Sequence, residues 1–117
     1  MPVEPPVLFG MWERFVGWLL VRTEKFPKRV ALTFRIRIDN LALDIYERLI
    51  EARYRRERVP HLQRINLDLE KMRLLLRLAH EQRILDSGAF GHACAELDTV
   101  GRMLGGWLRQ QPGCVPS

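Results

Sequence analysis

The side chains that could support catalysis are few and scattered along the chain. The three histidines, His61, His80 and His92, fall in separate segments, and none has a Ser or Cys at a spacing typical of nucleophilic catalysis. His92 and Cys94 are two residues apart, which places them about 200° apart around a helix, so they cannot bind one metal ion together. We therefore expect no catalytic residues, no metal site, no cofactor and no enzymatic activity.

A group of carboxylates at helical spacing is the other candidate for chemistry. Asp44, Glu47 and Glu51 follow one another at intervals of three and four residues. Arg48 and Arg55 stand four residues after Asp44 and Glu51, which is the spacing of ordinary exposed ion pairs on a helix. No Glu-x-x-His pair accompanies them, so a di-iron bundle site is not expected. We interpret these carboxylates as ion-pair partners.

Basic residues carry the stronger signal. The chain has nineteen Lys and Arg against fourteen Asp and Glu, a net charge of +5, and sixteen of the nineteen are Arg. The planar guanidinium group suits phosphate or carboxylate, whereas Lys offers a point charge. This bias favours a nucleic-acid partner, with an acidic protein partner or a plain solvated surface as the alternatives.

The basic residues gather in groups. An arginine cluster (Arg53, Arg55, Arg56 and Arg58) has only Glu57 to offset it locally, and Arg64 follows in the next helix. A favourable interaction with a helix C-terminus accounts for one or two of these cations, not for all four. A connection group, Lys25, Lys28 and Arg29, should lie at the opposite end of an antiparallel bundle, near Arg83, and Lys71, Arg73 and Arg77 form a third row. The residues predicted to contact phosphate are Lys25, Lys28, Arg29, Arg53, Arg55, Arg56, Arg58 and Arg64.

Residues 30–58 contain no Pro or Gly and predict a long helix with two apolar faces. One face carries Phe34, Ile38, Leu41, Ile45, Leu49 and Ala52. The opposite face carries Leu32, Ile36, Leu43, Ile50 and Tyr54. A helix that only covers a monomeric bundle should be polar on its outer side. The second face is therefore predicted to be buried between helices of neighbouring protomers.

The other segments predict three more helices, over residues 8–25, 60–83 and about 87–111. The third is also double-faced. Its inner row is Leu62, Ile65, Leu69, Met72, Leu76 and Ala79. Its outer row is Leu67, Leu74, Leu78 and Leu85. In the fourth helix, Gly101, Gly105 and Gly106 suggest close backbone approach to a neighbouring helix, because glycine otherwise weakens a helix interior.

These elements predict an all-α, up-down-up-down antiparallel four-helix bundle over residues 8–111. Residues 1–7 form a Pro-rich arm and residues 112–117 a short tail, both expected to be flexible. At about 1.5 Å per residue the second helix would be roughly 43 Å long, longer than the first and fourth, so its end should project. The two cysteines, Cys94 and Cys114, form no disulfide framework. The sequence also shows neither a signal-peptide pattern nor a membrane span. These three features predict a cytoplasmic protein.

Several motifs resemble the Avd family, the accessory variability determinants of diversity-generating retroelements. They are KFP at 25–27, RI at 37–38, LIEARY at 49–54, LEKMRLLLRLA at 69–79 and GRMLGGW at 101–107. The similarity extends over about residues 24–108. The same motifs occur in the related four-helix-bundle proteins encoded in intervening sequences of large-subunit ribosomal RNA genes.

The resemblance implies a homopentameric barrel with a basic surface and no active site. It also implies partnership with a reverse transcriptase and its template RNA in mutagenic cDNA synthesis. DNA or an RNA–DNA hybrid is the alternative ligand, because the sequence does not distinguish among the three. A protein of the ribosomal intervening-sequence type, without a reverse transcriptase, is the alternative. A purely structural or protein-interaction bundle would show no salt-sensitive binding to nucleic acid.

Overall fold

The computed structural model describes residues 5–112, which form four helices and contain no strand. The helices are α1 (Pro5–Glu24), α2 (Ile36–Tyr54), α3 (Val59–Glu81) and α4 (Ser87–Arg109). A 3₁₀ turn (Lys28–Val30) and a π-helical turn (Ala31–Arg35) lead into α2. Each helix packs against the next and α4 packs back against α1. Because the connections are short, helices that follow one another in the chain are antiparallel. The predicted four-helix bundle is thereby confirmed. The bundle measures 46 × 23 × 22 Å.

The ends of the first two helices differ from the sequence prediction. Helix α1 begins at Pro5, three residues earlier than expected, so residues 5–7 of the predicted arm are helical. Residues 1–4 of that arm and residues 113–117 of the tail, with Cys114, lie outside the described part of the chain. Helix α2 stops at Tyr54 because Arg55 is extended, with φ −89° and ψ 142°. The nineteen residues of α2 span only about 28 Å, so the prediction of a long projecting helix was wrong.

The core is built from the rows that the apolar spacing predicted. The buried residues of the two middle helices include Ile38, Ala42, Ile45, Leu49, Ala52, Leu62, Ile65, Leu69, Met72, Leu76 and Ala79. Trp12 of α1 donates its indole N–H to the carbonyl of Ala42, 3.0 Å away, which satisfies the one polar atom of a buried ring. Leu85 is also buried, because the chain turns inward between α3 and α4, and so its assignment to the outer row was wrong.

Helix α4 begins as expected and packs differently from expectation. The Asp86 carboxylate accepts from the backbone N–H of Ala89 at 2.8 Å, which is an N-cap. A Cβ on Gly101 would lie 2.9 Å from Nη2 of Arg73, so this glycine makes room for a guanidinium group of α3. That same Nη2 donates to the carbonyl of Leu97 at 3.1 Å. The predicted close approach at Gly101 is therefore made by a side chain, not by a neighbouring backbone.

Candidate nucleic-acid interface

The arginine cluster lies where α2 ends and α3 begins. Because α2 stops at Tyr54, Arg53 occupies its last turn and the other three arginines lie in the connection at residues 55–58. Arg53, Arg55 and Arg56 are exposed. The guanidinium of Arg53 lies 5.6 Å from the ring centre of Phe9 in α1. Within residues 5–112, none of these three side chains forms an ion pair, so their charge is available to a partner.

Arg58 differs from the rest of the cluster because it is used by the fold. Its Nε donates to the carbonyl of Ala52 and its Nη2 to the carbonyl of Arg53, both at 2.8 Å. These are terminal carbonyls of α2, which lack partners within the helix. Its guanidinium also lies 5.9 Å from the ring centre of the buried Trp107. Arg58 thus caps α2, which explains why the helix ends before the connection.

The connection group occupies the other end of the bundle. Lys28 and Arg29 are exposed in the 3₁₀ turn that follows Pro27, whose extended backbone separates this turn from α1. Lys25 and Arg83 line one cleft together with Arg22. This is the proximity to Arg83 that the antiparallel order predicted. The bundle, which is 46 Å long, therefore carries cations at both ends.

Arg64 lies beside an ionic cluster that the sequence analysis missed. Asp68 of α3 is completely buried and forms an ion pair with Arg48 of α2. Arg64 Nε and Lys71 Nζ lie 3.4 and 3.8 Å from the other carboxylate oxygen. The spacing had predicted a pair between Arg48 and Asp44. Arg48 instead pairs with Asp68 across the interface between α2 and α3. Within residues 5–112 the expected pair between Glu51 and Arg55 is also not formed.

A signal for Asp68 was present in the sequence. It follows Ile65 by three residues and precedes Met72 by four, which places a carboxylate on the buried row of α3. Since a buried carboxylate requires compensation, cations at i−4 and i+3, which are Arg64 and Lys71, would have marked the cluster. Helix α2 supplies the closest partner, and only the packing shows which of its arginines that is.

Two apolar stripes remain outside the core. The outer α2 stripe is Leu32, Ile36, Leu43, Ile50 and Tyr54. The outer α3 stripe is Leu67, Leu74 and Leu78. All eight residues are exposed on the surface of this chain, with Leu32 at 85% and Tyr54 at 78%. Exposed apolar area on this scale marks an interaction surface in soluble proteins. The stripes are surfaces onto which a second protomer could pack.

The other candidates for chemistry remain separate. His80 is 3.1 Å from the hydroxyl of Ser87 and stacks on Phe90, whereas His92 packs against Trp18 on another face. Among residues 5–112, no group of three or more His, Cys, Asp or Glu is arranged to hold a metal ion. No helix in that part of the chain combines the length and apolarity needed to cross a membrane.

One known protein family matches almost the full length of the bundle. The model of the bAvd-like family matches residues 7–111, a range that includes nearly all of the four helices. No curated protein matches the chain. The family match confirms the resemblance drawn from the motifs at 25–27 and 101–107. Because it covers most of the sequence, the chain belongs to the bAvd-like family.

Proposed function

We propose that this chain is a nucleic-acid-binding accessory protein of a diversity-generating retroelement. In this role it has no catalytic site and positions template RNA, or a nucleic-acid product, for the element's reverse transcriptase. The family match over residues 7–111 is the observation that carries the proposal. The cations at both ends of the bundle supply the chemistry, because affinity for nucleic acid comes chiefly from contacts with phosphate.

The side chains proposed to contact phosphate are those that the fold leaves unpaired. Arg53, Arg55 and Arg56 form one set, and the connection group forms the other. None of these residues has a carboxylate within ion-pair distance in the described part of the chain. Arg58 and Arg64 contribute less in this proposal, because the first caps α2 and the second is paired with Asp68.

We also propose that protomers assemble into a closed ring, as a homopentamer. A ring uses two different surfaces of each protomer, and the two apolar stripes supply them. At 100° per residue, the outer α2 stripe lies roughly 140° from the buried row of its helix, on the flank that faces α1. Asp39 marks that flank, because it accepts from the Thr23 hydroxyl of α1 at 2.5 Å. The outer α3 stripe lies almost opposite its own buried row.

In a square bundle, the two stripes then point in directions that differ by roughly 120°. A five-membered ring needs about 108° between the two contact directions, and a two-fold dimer needs only one surface. An angle of about 120° is that of a six-membered ring and lies close to that of a five-membered one, so the stripes support a small closed ring, and the number five rests on the family resemblance. Both ends of the bundle and the α1–α4 face stay accessible to a ligand in such a ring.

Salt-dependent binding tests the nucleic-acid assignment. Fluorescence anisotropy with a labelled single-stranded RNA should show affinity that falls steeply with salt. In the double variant R55A/R56A, the slope of log affinity against log salt should decrease by about 1.4, since each phosphate contact contributes about 0.7. The matched control is R77A/R102A, because those two arginines have partners in Glu81 and Thr99. Equal slopes for wild type and R55A/R56A would contradict this assignment.

The reverse-transcriptase partnership has its own test. The protein, co-expressed with the reverse transcriptase encoded beside it, should co-purify with that enzyme after nuclease treatment. A genome that encodes the chain within a ribosomal RNA gene, with no reverse transcriptase nearby, would favour the alternative role instead.

Sedimentation velocity tests the assembly. Leu43→Arg places a charge in the outer α2 stripe and should convert the ring to monomers at micromolar concentration. Asn66→Arg is the control, because Asn66 is exposed on α3 outside both stripes. A Leu43→Arg protein that still sediments like the wild type would show that the outer α2 stripe is not the interface.

A further inference from the structure

The end of the bundle that carries Lys25 contains a cleft of about 530 Å³. This end cleft lies where α1 and α3 end and α4 begins. Arg22, Lys25 and Arg83 line it, together with His80 and Ser87. Its volume lies within the range of small-molecule sites, which is about 300–1,000 Å³. The end cleft is thus large enough for a nucleotide.

Arg83 has an unusual backbone for its residue type. Its φ is 61°, in the left-handed region that favours glycine. It occupies the position after the end of α3 at which a glycine is common. The N–H of Ile84 donates to Ala79 at 2.8 Å, and the N–H of Arg83 donates to His80 at 3.0 Å. A glycine would satisfy this turn at lower steric cost, whereas an arginine adds a third cation to the end cleft. Strain of this kind in a structure points to a functional role for the side chain.

The charges that line the end cleft are not balanced. Asp86 is the carboxylate among its lining residues, and it is engaged as the N-cap of α4. Within residues 5–112, Arg22, Lys25 and Arg83 form no ion pair, and Nε of Arg22 is buried without a hydrogen-bond partner. Three cations and one carboxylate leave a net charge of +2. A phosphomonoester carries between about −1.5 and −2 at pH 7, whereas an internal phosphodiester carries −1.

We propose that the end cleft binds the terminal phosphomonoester of a nucleic-acid strand. Arg22, Lys25 and Arg83 would contact the terminal phosphate. The Ser87 hydroxyl, 3.1 Å from Nε2 of His80, would donate to the phosphate beside them when it accepts from that nitrogen. The exposed Lys28 and Arg29 lie just beyond Lys25 in the chain and would contact the phosphodiesters that follow. This inference rests on the proposed function and specifies the end of the strand as the ligand.

Oligonucleotides that differ only in the terminal phosphate test the proposal. Fluorescence anisotropy would compare a 12-nucleotide RNA in three forms: with a 5′-phosphate, with a 3′-phosphate, and with neither. Wild-type protein should bind one of the phosphorylated forms about tenfold more tightly, the effect expected of one charge-assisted hydrogen bond. Equal, salt-sensitive affinity for all three would overturn the end-cleft assignment and leave the proposed function intact. No binding to any of them would contradict the proposed function itself.

Arg83→Gly separates binding from folding. A glycine suits the left-handed backbone at this position, so the variant should melt no lower than the wild type while losing the tenfold preference. Arg102→Ala, which removes an exposed arginine of α4 outside the end cleft, should keep that preference. A preference retained in Arg83→Gly would overturn the role of Arg83 and, with it, the proposal.

Free nucleotide as a competitor distinguishes the two sources of a phosphomonoester. AMP should displace the phosphorylated RNA only at concentrations far above the Kd of the RNA, because AMP lacks the adjoining phosphodiesters. Displacement by AMP at a concentration similar to that Kd would overturn the assignment to a strand end and identify the end cleft as a mononucleotide site.

Discussion

The seam between α2 and α3 and the two ends of the bundle both concentrate cations, yet the surroundings of those cations differ. In the seam, Arg48, Arg64 and Lys71 surround the fully buried Asp68. At the ends, Arg55 and Arg56 are exposed and, within residues 5–112, have no ion-pair partner. The same kinds of side chain therefore stabilise the fold in one region and remain free for a ligand in the other.

This contrast shows how to interpret a basic protein. The net charge of +5 says that cations are in excess but not where the excess lies. A carboxylate inside the bundle draws neighbouring cations toward it and removes them from consideration as ligand contacts. The presence or absence of an internal acceptor, and not the local density of Arg, separates the two regions. Arg58 illustrates this within one cluster, since its acceptors are the terminal carbonyls of α2.

The largest effect expected from this contrast comes from the seam. Asp68→Ala removes the carboxylate and leaves the partly buried Arg48 uncompensated. The free energy of unfolding should fall by about 1.5–3 kcal/mol, the size typical of a hydrogen bond to a charged group. Urea denaturation followed by circular dichroism at a fixed protein concentration measures it. Asp44→Ala, an exposed carboxylate of α2, is the control and should change stability by less than about 0.5 kcal/mol. If Asp68→Ala also lowered the free energy of unfolding by less than about 0.5 kcal/mol, the distinction between the seam and the ends would not hold.

A smaller effect divides the arginine cluster itself. Arg58→Ala removes two hydrogen bonds to the end of α2 and should lower the free energy of unfolding by about 1–2 kcal/mol. Arg56→Ala removes an exposed side chain two residues away and should change it by less than about 0.5 kcal/mol. Thermal and urea unfolding of the two variants provide the comparison. Equal stabilities would mean that the contacts of Arg58 with Ala52 and Arg53 do not hold α2.

The inner rows of the four helices could be predicted from sequence because burial imposes a regular spacing on them. Leu62, Ile65, Leu69 and Met72 repeat at three and four residues, and all are buried. The end of α2 could not be predicted in this way. Residues 55–58 contain no Pro or Gly, and the chain leaves the helix there because Arg58 folds back onto its carbonyls. A contact of this kind depends on the direction of the following helix, which periodicity does not reveal.

The candidate site could be predicted only in part. The sequence identified the two groups of cations and placed Lys25 near Arg83, because antiparallel order determines which helix ends meet. It did not reveal the end cleft, because the shape of this cleft depends on how far the ends of α1, α3 and α4 extend relative to one another. Nor did it reveal the left-handed backbone at Arg83. No Gly or Asn marks that turn in residues 82–86, and these are the residues by which such a turn is ordinarily recognised.

Arg83 provides the test with the smallest expected effect. A cation at the end of the bundle that is kept for a ligand should lower the stability of the fold, whereas a cation in the seam should raise it. Removing left-handed strain gains about 1–2 kcal/mol, and the extra backbone freedom of glycine returns about 0.5–1 of that. Arg83→Gly should therefore leave the free energy of unfolding unchanged or raise it by up to about 1.5 kcal/mol. The neighbouring Gln82 has φ −84°, so Gln82→Gly relieves no strain and should lower that free energy by about 0.5–1 kcal/mol. Paired urea titrations resolve the opposite signs. If both variants lost stability equally, Arg83 would stabilise the fold as the seam cations do, and the division between seam and end would not hold at this position.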